Sequence, residues 1–156
     1  MIHINIRGNM RTKIKNCVRK LIKKYGTSDP YQLVKELNVI LLYVPLKSVN
    51  GFYNYYKRNH LIYLSDTLSE VECRRVLAHE LGHLILHCKV NAIALSTHTS
   101  LGVERYENEA DMFASELLIS DEDILDNPNL TIKQLACLTG TEEKHVKHKL
   151  LGLKYT

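Results

Sequence analysis

The segment His79-Glu80-Leu81-Gly82-His83 constrains the chain most, because two histidines four residues apart share one face only if the segment is a helix. The surrounding stretch supports that. From Thr67 to Cys88, apolar Val71, Val76, Leu77, Leu81, Leu84, Ile85 and Leu86 recur at helical spacing, behind a start at Thr67 or Ser69. Both imidazoles then project about one turn apart, where their nitrogens reach a single ion. Two imidazoles and a carboxylate suit Zn2+, with a fourth position left for water. Glu80 lies beside the first of these histidines, placed to take a proton from that water as general base.

The third ligand must come from elsewhere. A three-histidine continuation of the motif needs Gly and His where the chain has Leu86 and Lys89. The other solution is a carboxylate from a second helix, and Val103 to Ile119 reads as one, with an acidic start and an apolar stripe through Phe113, Ala114, Leu117 and Leu118. Within it Glu107 and Asp111 are i,i+4 neighbours. Glu107 is placed to bind the ion, and Asp111 to accept the outer N–H of a ligand imidazole, fixing its tautomer. Glu109 is the rival ligand, although at ~100° per residue it points some ~200° around the helix from Glu107. An acidic first turn favoured by the helix dipole explains the same residues more plainly. Beside the upstream motif that explanation is the weaker one.

The rest of the chain limits the setting. At 156 residues and 45% apolar composition it can bury one core, which excludes disorder as a description of the whole. No apolar run approaches the ~20 residues of a membrane span, and Met1 to Arg11 lack the layout of a secretory signal. Cys17, Cys73, Cys88 and Cys137 are widely spaced, as reduced thiols are. A cytoplasmic protein without membrane contact is the expectation. An amphipathic helix is predicted from Met10 to Tyr25, and a short one after Ser28, Asp29 and Pro30. Strands follow at Val39 to Val44, Gly51 to Tyr56 and Leu61 to Leu64, with Asn50-Gly51 and Lys57-Arg58-Asn59 as turns. Asn91 to Gly102 reads as a loop. Thr131 to Leu138 and Glu142 to Leu151 form a closing helix pair around Gly140. The expected fold is α+β, a small antiparallel β-sheet of about three strands packed with helices. Residues 1–126 make the main domain, and 127–156 a helical extension packed on it.

Charge is segregated. Met1 to Tyr25 carries eight Lys and Arg and no acid, whereas Asp66 to Asp126 carries 13 acids against four bases. A basic arm beside an acidic body suggests either weak contact with nucleic acid or docking of the arm on the protein's own acids. The second is favoured, because no aromatic residue interleaves with the basic cluster before Tyr25. The closing pair has a helix-turn-helix rhythm and carries Lys144, His145, Lys147, His148 and Lys149. Its last helix lacks Arg, Asn and Gln to read bases, so a terminal cap is favoured over DNA binding.

The run H-E-L-G-H-x-x-x-H from His79 to His87, followed by E-x-x-A-D-x-F-A-x-x-L-L from Glu107 to Leu118, resembles the ImmA/IrrE family of zinc metallopeptidases. The resemblance spans roughly Asn38 to Ser120. It implies a zincin-like active-site helix, zinc on His79, His83 and Glu107, and Glu80 as general base. It also implies a partner: a helix-turn-helix repressor, inactivated usually by site-specific cleavage, in bacteria and their mobile elements. Two positions depart from the family pattern. Asp111 replaces a common Asn, and Ile119-Ser120 stands where Met-Pro is frequent.

The expected reaction is hydrolysis of a peptide bond by zinc-bound water, with Glu80 carrying the proton to the leaving amine. Tyr106, His87 and His98 are the candidates for oxyanion or substrate contacts. Leu61 to Leu64, if a sheet edge, would pair with an extended substrate. Tyr53, Tyr55 and Tyr56 suit sheet packing or partner contact. A non-catalytic anti-repressor or DNA-associated regulator, with zinc only holding the fold, is the competing class.

Overall fold

The computed structural model describes residues 6–88 and 100–154. Helix α1 (Ile6–Tyr25) buries Ile14 and Val18 on one face and ends at Gly26. Helix α2 (Pro30–Glu36) starts where the Asp29 carboxylate accepts the Tyr31 N–H and Pro30 presets the first turn. Three strands follow, β1 (Ile40–Val44), β2 (Gly51–Tyr56) and β3 (Asn59–Ser65). Helix α3 (Glu70–His87) opens on a reciprocal cap between Ser69 and Glu72, which selects Ser69 over Thr67 as its start.

The sheet is mixed rather than antiparallel. Its order is β1-β3-β2, with β2 antiparallel to β3 and β1 parallel to it, Ile40 opposite Leu61 and Val44 opposite Ser65. Asn50-Gly51 is therefore not a hairpin tip. Only Lys57 and Arg58, both left-handed, make a tight turn, between β2 and β3. Strand β3 lies in the centre, so the expected substrate edge at Leu61 to Leu64 is already paired on both sides. Both outer strands have an open side, and of the two it is β2 that packs against α3.

Helix α4 (Ser100–Leu118) begins earlier than predicted and takes in Ser100 to Gly102; residues 91–99 of the expected loop lie outside the described residues. With that start the helix has no acid in its first turn, so Glu107 and Asp111 are not there to cap a dipole. The exit after Ile119 is set by Ser120, which caps an unpredicted short helix, α5 (Asp121–Leu125), in reciprocal bonds with Asp123. Helices α6 (Ile132–Thr139) and α7 (Glu143–Lys154) close the chain, joined through Gly140 in the left-handed conformation.

Leu77, Leu81, Ile62, Leu64 and Phe113 are fully buried where α3 and α4 pack with the sheet. Helix α7 is tied to this body by a buried ion cluster. Lys149 Nζ lies 2.7 Å from Glu116 Oε2 and 2.6 Å from Asp121 Oδ1, and Lys15 and Arg19 of α1 each reach Asp121 Oδ2 at 3.3 Å. Part of the basic arm thus docks on the protein's own acids. No helix among the described residues is long and apolar enough to cross a membrane.

Candidate metal centre

The site begins with an absence of side chain. A Cβ on Gly82 would stand 3.1 Å from the Cα and carbonyl oxygen of Ala110 and 3.2 Å from Phe113 Cβ. With only hydrogen there, α3 and α4 approach backbone to backbone at Gly82 and Ala110, and Ala110 is itself small enough to be fully buried at the contact. That approach sets the imidazoles of α3 against the carboxylates of α4.

Three side chains converge. His79 Nε2 lies 3.1 Å from His83 Nε2 and 3.1 Å from Glu107 Oε2, and His83 Nε2 lies 3.3 Å from Glu107 Oε1. Ligand bonds of about 2.0–2.1 Å at tetrahedral angles place donor atoms roughly 3.3 Å apart, so these separations fit one small ion of that geometry. The donor chemistry, two imidazoles and a carboxylate, is also that of zinc. Glu109, the rival ligand, is turned away from this group and pairs with His87 and Arg105.

The carboxylates at this site favour positive charge on the imidazoles beside them. Burial alone lowers the pKa of His79, but the Asp111 and Glu107 carboxylates overcome it and push it up to about 9. The hydrogen bonds of His79 and His83 hold Glu107 far below the ordinary carboxylate range. Burial raises Asp111, yet His79 and then Lys144 outweigh it and bring its pKa to about 2. Asp111 Oδ1 accepts from His79 Nδ1 at 2.9 Å, which leaves Nε2 as the nitrogen facing His83 and Glu107. Lys144 Nζ donates to the same oxygen at 3.0 Å.

Glu80 faces the sheet side of the centre and is only 6% exposed. Burial raises its pKa; His79 and His83 pull the other way, as does a hydrogen bond from the Tyr53 backbone in β2. A cleft of about 420 Å³ runs past it. Asn50 and Gly51 at the start of β2 form one side, His79, Glu80 and Glu107 the floor, and Lys144 and His145 of α7 the far wall. The two α7 residues were legible only as a basic helix, because their place at the cleft depends on how α7 packs. His145 is buried, which lowers its pKa to about 4, and Lys149 is consumed by the ion cluster.

The remaining candidates separate. His87 does not line this cleft; it is buried against Glu109, with Tyr106 packed edge-on at 4.7 Å between ring centres. Tyr106 is likewise absent from the cleft lining. His98 lies outside the described residues.

Helix pairs built in this way, with two imidazoles from one helix facing a carboxylate of the next, define a class of metal-dependent hydrolytic site. The family model described as IrrE N-terminal-like domain matches residues 34–150, from α2 through most of α7. The chain is 38% identical over 141 residues to "Uncharacterized immunity region protein 2" of Bacillus phage phi105, covering 87% of this chain and 89% of that protein. It is 31% identical over 111 residues to the metallopeptidase ImmA of Bacillus subtilis strain 168, covering 70% of this chain and 64% of that protein. The chain belongs to the ImmA/IrrE family of peptidases.

Proposed function

We propose that the protein is a zinc-dependent endopeptidase of narrow specificity that inactivates a helix-turn-helix transcriptional repressor by cleaving it. The observation that carries this reading is the convergence of His79, His83 and Glu107 beside a buried Glu80 on the floor of an open cleft. Membership of a peptidase family supports hydrolysis of a protein. The two relatives, one named a metallopeptidase and one an immunity region protein of a phage, support a regulatory target over a digestive one.

His79 and His83 would hold zinc through their Nε2 atoms and Glu107 through its carboxylate, with Asp111 fixing the His79 ring. Zinc, when bound, supplies Lewis-acid chemistry, acidifying water and polarising the scissile carbonyl. Glu80 takes the proton from the attacking water and returns it to the leaving amine. Its upward-shifted pKa suits a group that must both accept and donate. Strand β2 is the edge that an extended substrate can pair with, and such a segment lies along the cleft past Asn50 and Gly51.

The test is Glu80→Gln, incubated with a helix-turn-helix repressor taken from the neighbouring reading frames. The variant is expected to keep about one zinc per chain and its fold, and to lose repressor fragmentation by at least about 100-fold. If it relieves repression as well as the parent protein does, cleavage is not the function and a non-catalytic anti-repressor role replaces it.

A further inference from the structure

Beyond the ligands and the base, a second set of buried polar groups lies along the same helix pair. His83 Nδ1 and His87 Nδ1 are 3.2 Å apart, His87 Nε2 is 2.9 Å from Glu109 Oε2, and Arg105 Nε donates to Glu109 Oε1 at 2.8 Å. His87 and Glu109 are each 7% exposed. Nothing in the hydrolytic step uses them.

We propose that His87 and Glu109 are positioning residues for the metal centre, acting on it only through the outer nitrogen of His83. The inference rests on the metal reading above, and it follows from counting protons. If His83 Nε2 offers its lone pair toward His79 and Glu107, the ring proton sits on Nδ1 and must be donated. Among the described residues, the acceptor that meets it is His87 Nδ1, at 3.2 Å. His87 then carries its own proton on Nε2, where it meets a carboxylate oxygen that can only accept. Arg105 holds the other oxygen of that carboxylate. Each proton has one place in this direction. In the reverse direction His83 would present an N–H to His79 and Glu107, and His87 would need a second proton to satisfy Glu109.

The two ligand histidines are therefore held alike, by different lengths of relay. His79 meets Asp111 directly. His83 reaches Glu109 only through an imidazole spacer, one helical turn further along α3. The family-like spacing H-x-x-x-H at His83 and His87 thereby acquires a physical reason in this chain.

The experiment measures zinc affinity by competition with a chelator for the parent protein, His87→Phe, His87→Gln and Glu109→Gln, with exposed Glu104→Gln as control. His87→Phe and Glu109→Gln are expected to weaken zinc binding about 10–100-fold, with unchanged far-ultraviolet circular dichroism. His87→Gln, whose amide can both accept from His83 and donate to Glu109, is expected to recover part of the loss. A role in packing alone would favour the phenyl ring over the amide, so that order of affinities overturns the proposal. Nitrogen-15 ring spectra of the zinc-loaded parent should show His87 protonated at Nε2 alone. A proton on Nδ1 overturns the proposal even if a variant fails to fold. Variant affinities within twofold of a tightly binding parent remove the positioning role and leave the metal reading intact. A parent protein that binds no zinc removes both.

Discussion

The contact between α3 and α4 carries two histidine–carboxylate clusters that differ sharply in their access to water. At the first, His79, His83 and Glu107 meet with the Glu107 side chain 55% exposed; at the second, His87 and Glu109 meet with side chains only 7% and 9% exposed. The proton equilibria of His79 and His87 move in opposite directions. His79 is pushed up to about 9 by two carboxylates against its burial, whereas burial wins at His87 and lowers its pKa despite Glu109. Both clusters pair histidine of α3 with glutamate of α4, with Asp111 beside the open one and Arg105 beside the closed one. The open cluster's carboxylates favour a positive charge beside them, and the closed one favours a neutral ring suited to passing a hydrogen bond.

The largest effect should come from breaking the open cluster. Glu107→Gln removes the anionic member of the proposed ligand set, so its zinc affinity should fall further than the ~10–100-fold expected for Glu109→Gln, whose carboxylate acts only through two rings. Chelator competition checks this directly, and equal losses would erase the distinction between the clusters. The contact itself can be broken next. Gly82→Ala sets a Cβ 3.1 Å from the Ala110 backbone. The crowding costs about 1–3 kcal/mol and the gain in helix propensity returns up to about 1 kcal/mol, leaving a net loss of about 1 kcal/mol. The Tm of the metal-free protein should fall by about 2–4 °C, and zinc binding should weaken because both clusters depend on the same approach.

The uneven legibility of these clusters has a physical cause. His79 and His83 on α3, and Glu107 and Asp111 on α4, are spaced by helical periodicity, a local property, so the sequence alone predicts that each pair shares a face, and the structure brings the two pairs together. His87 carries the same spacing from His83. Its use was not legible, because its partner Glu109 lies around α4 from Glu107, and only the crossing of the two helices decides which carboxylate meets which ring. Long-range pairing hid the sheet in the same way. The apolar run from Ile40 to Val44 announces a strand, but nothing local tells it to join Leu61 to Ser65 in parallel instead of Gly51 to Tyr56 in a hairpin. The five residues of α5 are too few to show a period, although Ser120 with Asp123 three residues on was a readable cap.

The mildest test, whose first step alters no residue, separates the clusters by pH. In the metal-free protein the His79 pKa is raised above its ordinary 6.5 to about 9. Its pairing therefore contributes fully below pH 6.5 and is lost as pH rises through 9. His87 is shifted down, so it adds no such loss above neutrality. Glu107 is half exposed and solvent screens its share, which reduces the expected contribution to about 1 kcal/mol. The Tm of the metal-free protein should thus decline by about 2–4 °C between pH 6.5 and 9.5. Zinc takes the place of the His79 proton, so saturating zinc should remove the decline. Asp111→Asn should flatten the metal-free profile, because it removes the partner of Nδ1, while Glu109→Gln should leave its slope unchanged. A decline that persists in zinc, or that follows Glu109 instead of Asp111, would assign the rising proton demand to the closed cluster and reverse the contrast between them.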